Sequence, residues 1–244
     1  GALKNLESDF SGDHRLSEHL DFGKCTEEYS SVWADFLKTG SLPKKDAASA
    51  PEDFQCSQVF YQTLKEAVCK SEKDNWYAHY QLGLMHWYYG HISRARKELI
   101  ISEELQSNPW SCHALGILNH DDPAAAVNYI KNGLSMRNFD LTYVKEAFQQ
   151  FLILNAGQEL LDAYSELPEE IKLDSRIKYD YMSALAMTGN YQKGYDILMA
   201  DENYILEDLR ECETSIGTLY RNLYKGVFGT DPDSIPSQWD FDAL

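Results

Sequence analysis

A turn-forming element recurs along this chain at an almost fixed interval: Gly90, the Asp122-Pro123 pair, Gly157 and Gly189, with steps of 33, 34 and 32 residues from Gly90 through Pro123 and Gly157 to Gly189. Each lies between two segments whose apolar residues return at helical spacing, so the sequence describes helical hairpins laid side by side. One hairpin cannot bury its own apolar face and leans on the next. The fold expected is therefore all-α: a right-handed superhelix, an α-solenoid of helical hairpins with a terminal capping helix.

The seven prolines support this reading, because all fall at loops, hairpin turns or first helical turns. Proline within a helix costs about 3 kcal/mol, so its absence leaves long helical windows. Helices are expected over residues 26–39, 52–72, 76–89, 93–106, 110–120, 123–136, 141–156, 158–167, 177–188, 191–200 and 206–228, the last ending at Gly229. Three parts follow: an N-terminal arm or short helix over 1–25, a helical repeat domain over 26–229, and an acidic C-terminal tail over 230–244. The tail carries Asp231, Asp233, Asp240 and Asp242 and no base. Its Ile235, Trp239 and Phe241 are expected to fold back onto the last helices.

The stretch His79-Tyr80-Gln81-Leu82-Gly83-Leu84-Met85-His86, followed by Gly90, Ala95, Leu99 and Leu105, resembles the tetratricopeptide repeat. That repeat has a Leu-Gly-bearing first helix, a glycine turn and a small residue early in its second helix. Leu115-Gly116 with Ala126, Ile130 and Met136 repeats the pattern with a shortened turn, Gly189-Asn190-Tyr191 with Leu198 repeats it more weakly, and Ile216-Gly217 with Tyr220 looks like the first half of one more. The small Gly83, Ala95, Gly116 and Ala126 are expected to let helices approach closely while Leu and Ile fill the spaces between. Here His79 and His86 replace the Trp and Tyr of the signature. The Asn75-Trp76 to Trp110 region, Leu206 to Glu213 and the Ile235-to-Phe241 ending also resemble the helical C-terminal region of large bacterial proteins of unknown function that carry β-rich, carbohydrate-enzyme-like modules upstream. That resemblance implies a non-catalytic partner half of a longer protein, and the start at Gly1-Ala2-Leu3, without Met or a signal pattern, fits a piece of one.

Composition removes several function classes. The 244 residues carry 22 basic and 39 acidic side chains, a net charge of −17 with no basic cluster, so nucleic acid is not an expected partner. No apolar run approaches the roughly 20 residues of a membrane span. Cys25, Cys56, Cys69, Cys112 and Cys212 are odd in number and show no CxxC spacing, so they read as reduced, mostly buried thiols of a cytoplasmic protein. No glycosylation sequon is present.

In tetratricopeptide folds the concave face is lined by the first helix of each hairpin, at fixed offsets from its Leu-Gly. The resemblance carries those offsets onto Tyr77, Tyr80, Leu84, Trp87 and Tyr88 in one hairpin and onto Trp110, His113, Ile117, His120 and Asp121 in the next. Flat rings with a polar handle suit an extended peptide or a sugar face; the alternative is that most of these rings pack between helices. Tyr77, Tyr80, Trp87, Tyr88, Trp110, His113 and His120, with Arg221 from the last helix, are the expected contact residues for a partner.

Catalytic and metal readings are weaker. His79 with His86, and His113 with His120, stand seven apart, about 10 Å along a helix and too far for one ion within a pair. His14 and His19 are one residue too widely spaced for a helical zinc protease. Adjacent acids such as Glu103-Glu104, Glu169-Glu170 and Asp121-Asp122 point away from each other on a helix, unlike the facing carboxylates of a glycosidase. No catalytic residue, metal or cofactor is expected. The function expected is a non-catalytic binding or scaffolding module that holds a partner domain, protein or peptide on a concave aromatic-lined face, with saccharide binding as an accessory region of a carbohydrate-active protein as the alternative.

Overall fold

Asparagine and aspartate side chains decide where several helices begin. In the computed structural model, which describes residues 27–52, 54–55, 57–69, 75–201, 204 and 216–240, Asn75 accepts a hydrogen bond from the amide of Ala78, Asp122 from Ala125, Asp140 from Tyr143, and Asp174 from Arg176 and Ile177. Each satisfies a donor that the first helical turn leaves without an intrahelical partner. Pro123 follows Asp122 at the first helical position, where its missing N–H is no loss.

The described residues form α-helices and no strand, an all-α arrangement. In order they are α1 Glu27–Thr39, α2 Gln58–Ala67, α3 Trp76–Tyr88, α4 Ile92–Leu105, α5 Pro109–Leu118, α6 Pro123–Arg137, α7 Leu141–Ile153, α8 Gly157–Ser165, α9 Glu169–Lys172, α10 Ser175–Met187, α11 Tyr191–Ala200 and α12 Ile216–Phe228. The expected arm over 1–25, the expected start of the last helix at 206–215 and Phe241 lie outside the described residues, as do Cys25, Cys56 and Cys212. The short α9 was not expected. No helix among the described residues is long and apolar enough to cross a membrane.

Three hairpin turns close in the same way. The amides of His91, Ala156 and Asn190 each return to a carbonyl five residues back, on His86, Phe151 and Leu185, all at 2.8 Å. The residue before each amide is left-handed, with φ of 74° at Gly90, 54° at Asn155 and 78° at Gly189, which is the closure that satisfies the last helical carbonyls. Gly157 is thus not the turn residue of its hairpin, although the spacing points to it; Asn155 takes the left-handed position, as asparagine can. Gly157 instead opens α8, where a Cβ would stand 3.1 Å from Cβ of Met187 on α10. The glycine there serves a close approach between hairpins.

The chain divides into two compact units between Ala114 and Leu115, a boundary inside α5. In the first, α3 and α4 form the most tightly joined pair, and α2 packs on α3. A Cβ on Gly83 would stand 2.7 Å from Cγ of Leu99, with Ala95 fully buried beside it, so the seam closes on small residues. The core gathers Trp33 and Phe36 of α1, Phe60, Tyr61 and Leu64 of α2, and Trp76, Tyr77, Leu82 and Met85 of α3.

The second unit repeats one packing rule. α6 rests on α7; α7 and α8 both rest on α10; α10 and α11 both rest on α12. Within this unit each hairpin therefore meets the next in chain order. Gly116 and Ala126 make a second small-residue seam, with a Cβ on Gly116 only 2.7 Å from Cγ1 of Ile130. The end is sealed by Met182, Leu198, Tyr204, Ile216, Leu219, Tyr220, Leu223 and Trp239. Trp239 is 1% exposed and its indole N–H donates to the Tyr204 carbonyl at 3.3 Å, so the described part of the tail folds back onto the last helices.

Candidate functional site

α3 is apolar on nearly every side, which ordinarily means a helix covered all round. The cover on one side is not another helix. After α1, Gly40 turns the chain with φ of 65°, and residues 41–52 run without regular structure, apart from a turn near Ala47-Ala48, across the faces of α3 and the first turn of α5. Leu42 and Ala47, 2% and 9% exposed, anchor this strap in the core of the first unit.

The strap is held through its backbone. Nδ2 of Asn75 donates to the carbonyl of Leu42 at 3.2 Å, Nε1 of Trp76 to that of Lys45 at 2.7 Å, Nε1 of Trp110 to that of Ala47 at 3.0 Å, and Nε2 of Gln81 to that of Glu52 at 2.8 Å. Four side chains thus satisfy four carbonyls of a segment that has little internal hydrogen bonding of its own. Main-chain recognition of this kind grips an extended peptide whatever its side chains, and the intervening pockets supply selectivity.

One polar cluster closes the end of the strap. The Glu52 carboxylate receives the Lys45 ammonium at 2.7 Å and the Tyr77 hydroxyl, and Nε2 of Gln81 also reaches the Tyr77 oxygen at 3.2 Å. Burial works to raise the Glu52 carboxyl, but the Lys45 and Tyr77 hydrogen bonds overcome it and hold the group below its ordinary value. Tyr77 is driven far up by burial and then by Glu52, so it stays a neutral donor. Oε1 of Gln81 is buried and has no partner. The amide cannot be turned to relieve it, because Nε2 must face the Glu52 carbonyl.

The expected contact residues fall in several places. Tyr77 is fully buried beneath the strap; Tyr80 and Trp110 are half-buried against the same core, with the Tyr80 ring 6.3 Å from Trp76. Trp87 is half-buried, and Tyr88, 58% exposed, has its ring 5.8 Å from Phe54 and 5.2 Å from Tyr89. The strap face therefore collects Tyr77, Tyr80 and Trp110, with Tyr88 at the C-terminal end of α3. His113 is half-buried on α5. His120 and Arg221 belong to the second unit: His120 is exposed with Nε2 2.9 Å from Oε1 of Gln150, and Arg221 is exposed on α12. Asn75, Gln81, Lys45 and Glu52 were not expected at the site; the signal available was a single glutamine in the otherwise apolar middle of α3.

The histidine pair of α3 separates into two contacts. Nδ1 of His79 meets Glu98 at 2.6 Å and Nδ1 of His86 meets the Tyr61 hydroxyl at 3.1 Å. Among the described residues no group of three or more His, Cys, Asp or Glu side chains is placed to hold a metal ion. Of the described cysteines, Cys112 is buried, its thiol pushed up to about 12 by burial and then by Glu103, whereas Cys69 is exposed.

In the second unit, Tyr179, Ser183 and Met187 of α10 face Thr218, Asn222 and Lys225 of α12 across a cleft of ≈ 560 Å³. Elsewhere on α10 Asp180 is fully buried and is not part of the cleft lining, with Oδ1 3.2 Å from Nε of Arg176 and Oδ2 unpartnered. Burial raises its carboxyl to about 7 despite Arg176. A shifted carboxylate in a cleft would mark a catalytic group. Asp180 has no exposed surface through which a substrate could reach it.

Comparison with known protein families, with curated proteins and with solved structures returns no match for this chain.

Proposed function

We propose that this chain is a non-catalytic binding module, a tetratricopeptide-like α-solenoid with a right-handed superhelical course and a capping helix. It holds an extended segment of a partner protein, or of another domain of its own parent protein, on the faces of the first helices of its hairpins. One observation carries the reading: side-chain donors of Asn75, Trp76, Gln81 and Trp110 are spent on backbone carbonyls of a segment outside regular secondary structure. The repeated turn closure at His91, Ala156 and Asn190 and the successive hairpin packing within the second unit support the repeat architecture. The net charge of −17 supports a partner other than nucleic acid.

The test is tryptophan emission of the full chain against panels of extended peptides and of oligosaccharides. Peptides are expected to change the emission and oligosaccharides to leave it unchanged, with Trp110→Phe reducing the response. A saccharide response, or none to either panel, removes this reading.

A further inference from the structure

The strap is an imperfect occupant of its own site. Four of its carbonyls are satisfied, yet Oε1 of Gln81, at the Glu52 end of the contact, is left without a donor. A buried acceptor in that state costs about 1–3 kcal/mol. No donor among the described residues of the strap reaches it. The strap is also bounded by Gly40 in a left-handed turn, and most of its other side chains face solvent: Pro43, Lys44, Asp46 and residues 48–50 are exposed. Beyond the backbone bonds, Leu42, Ala47, the Lys45–Glu52 pair and the Tyr77 contacts to Glu52 and Lys45 tie it down.

Resting on the binding role proposed above, we infer that residues 41–52 are an intramolecular placeholder on the α3–α5 face, and that the occupant they keep out is an extended segment of a partner protein. The chemistry of the site defines that segment. It presents successive carbonyls to Asn75, Trp76, Trp110 and Gln81, places one carboxylate at the Tyr77 hydroxyl, and sets a backbone N–H against Oε1 of Gln81. The cation beside Glu52 belongs to the strap itself, through Lys45, so a replacing segment brings its own Lys or Arg to neutralise its acid. A segment with one acid and no base would meet a chain of net charge −17 without that compensation.

Release of the strap is local opening, which is measurable in the unmodified protein. The indole N–H groups of Trp76 and Trp110 are bonded to strap carbonyls, so their hydrogen exchange reports departure of the strap, while the Leu82 and Met85 amides in the middle of α3 report opening of the helix. Both indoles are expected to exchange at least about tenfold faster than those amides. Equal rates would mean that the strap leaves only when the whole unit unfolds, and would overturn the inference while leaving the binding role to be judged by the emission panels.

The second arm uses Glu52→Gln and, separately, Lys45→Ala in the full chain, with a labelled synthetic peptide of residues 40–55 as probe. Each variant is expected to bind the peptide at least about tenfold more tightly than the parent chain does, because a tethered strap competes at an effective concentration on the order of millimolar. The same affinity in the parent and both variants, or no binding to any of them, would overturn the inference. Circular dichroism of each variant checks that α3 is retained; if both variants lose it, the strap is part of the core and the inference fails by that route.

Discussion

The indole nitrogen of Trp110 donates to the carbonyl of Ala47 at 3.0 Å across a sequence separation of 63 residues. This bond ties the first turn of α5 to a segment between α1 and α2, so the strap is part of the long-range wiring of the first unit. Trp110→Phe keeps an aromatic ring but removes the donor together with the pyrrole half of the indole, which packs against the core. It is expected to lower stability in urea unfolding by more than the about 0.5–1.5 kcal/mol of one such bond, because a cavity is added to it, and to speed exchange at the Trp76 indole. Unchanged exchange at Trp76 would mean that the two bonds open independently.

Acid is expected to loosen the strap. Glu52 sits below its ordinary value of 4.5 because Lys45 and Tyr77 outweigh its burial. A carboxyl depressed in the fold contributes stability that is complete above its unfolded value and is lost as pH falls through the folded one. Protonation also removes the partner of Lys45. Indole exchange at Trp76, corrected for its intrinsic pH dependence, should therefore rise below about pH 4.5 in the parent chain, and Glu52→Gln should show no such rise.

The seams and turns respond differently to a single methyl. Gly116→Ala drives a Cβ to 2.7 Å from Cγ1 of Ile130, and overpacking of this kind costs about 1–3 kcal/mol. Adding Ile130→Ala should recover part of the loss, so the pair is not additive. Gly189→Ala meets no atom within 4 Å but holds φ at 78°. Its loss, about 1–2 kcal/mol from the left-handed backbone, should add simply to that of Ile130→Ala. Denaturation of the two double variants separates crowding from backbone strain.

Asp180 makes the second unit less stable as pH rises. Burial raises its carboxyl to about 7 from 3.8, so the native state holds the proton more tightly than the unfolded chain does. Stability from this group is greatest below about pH 4 and falls until about pH 7. His86, lowered from 6.5 by burial, works in the opposite sense and loses stability as pH drops. The readout is therefore the difference in unfolding free energy between Asp180→Asn and the parent, measured at several pH values. The substitution should remove the downward slope between about pH 4 and 7, and a parallel pair of curves would contradict the assignment.

The helices were legible because their signals are local. Helical spacing, proline positions and the glycines at 90 and 189 encode elements within a few residues of themselves. Gly157 misled for a physical reason: asparagine tolerates the left-handed position, so Asn155 took the turn and the glycine was free to let Met187 approach. α9, four residues long, is too short to carry a period. The strap was not legible, because nothing in residues 41–52 encodes partners at 75, 76, 81 and 110, and its last residue, Glu52, was expected to open a helix that begins only at Gln58. The offsets from Leu82-Gly83 and Leu115-Gly116 pointed to the ring positions at 77, 80 and 110. That the chain's own strap covers them could come only from the folded structure.

The central claim is that this face holds extended backbone. It is tested most directly by following the five indole N–H signals in nitrogen–proton correlation spectra, assigned by single Trp→Phe variants, while extended peptides are titrated into the parent chain and into Glu52→Gln. Trp33 and Trp239, 4% and 1% exposed within the cores, serve as internal controls. The account predicts that the Trp76 and Trp110 signals move with peptide, at lower concentration in Glu52→Gln, while Trp33 and Trp239 stay fixed. Signals of Trp76 and Trp110 that remain still in both proteins at every peptide concentration would contradict it.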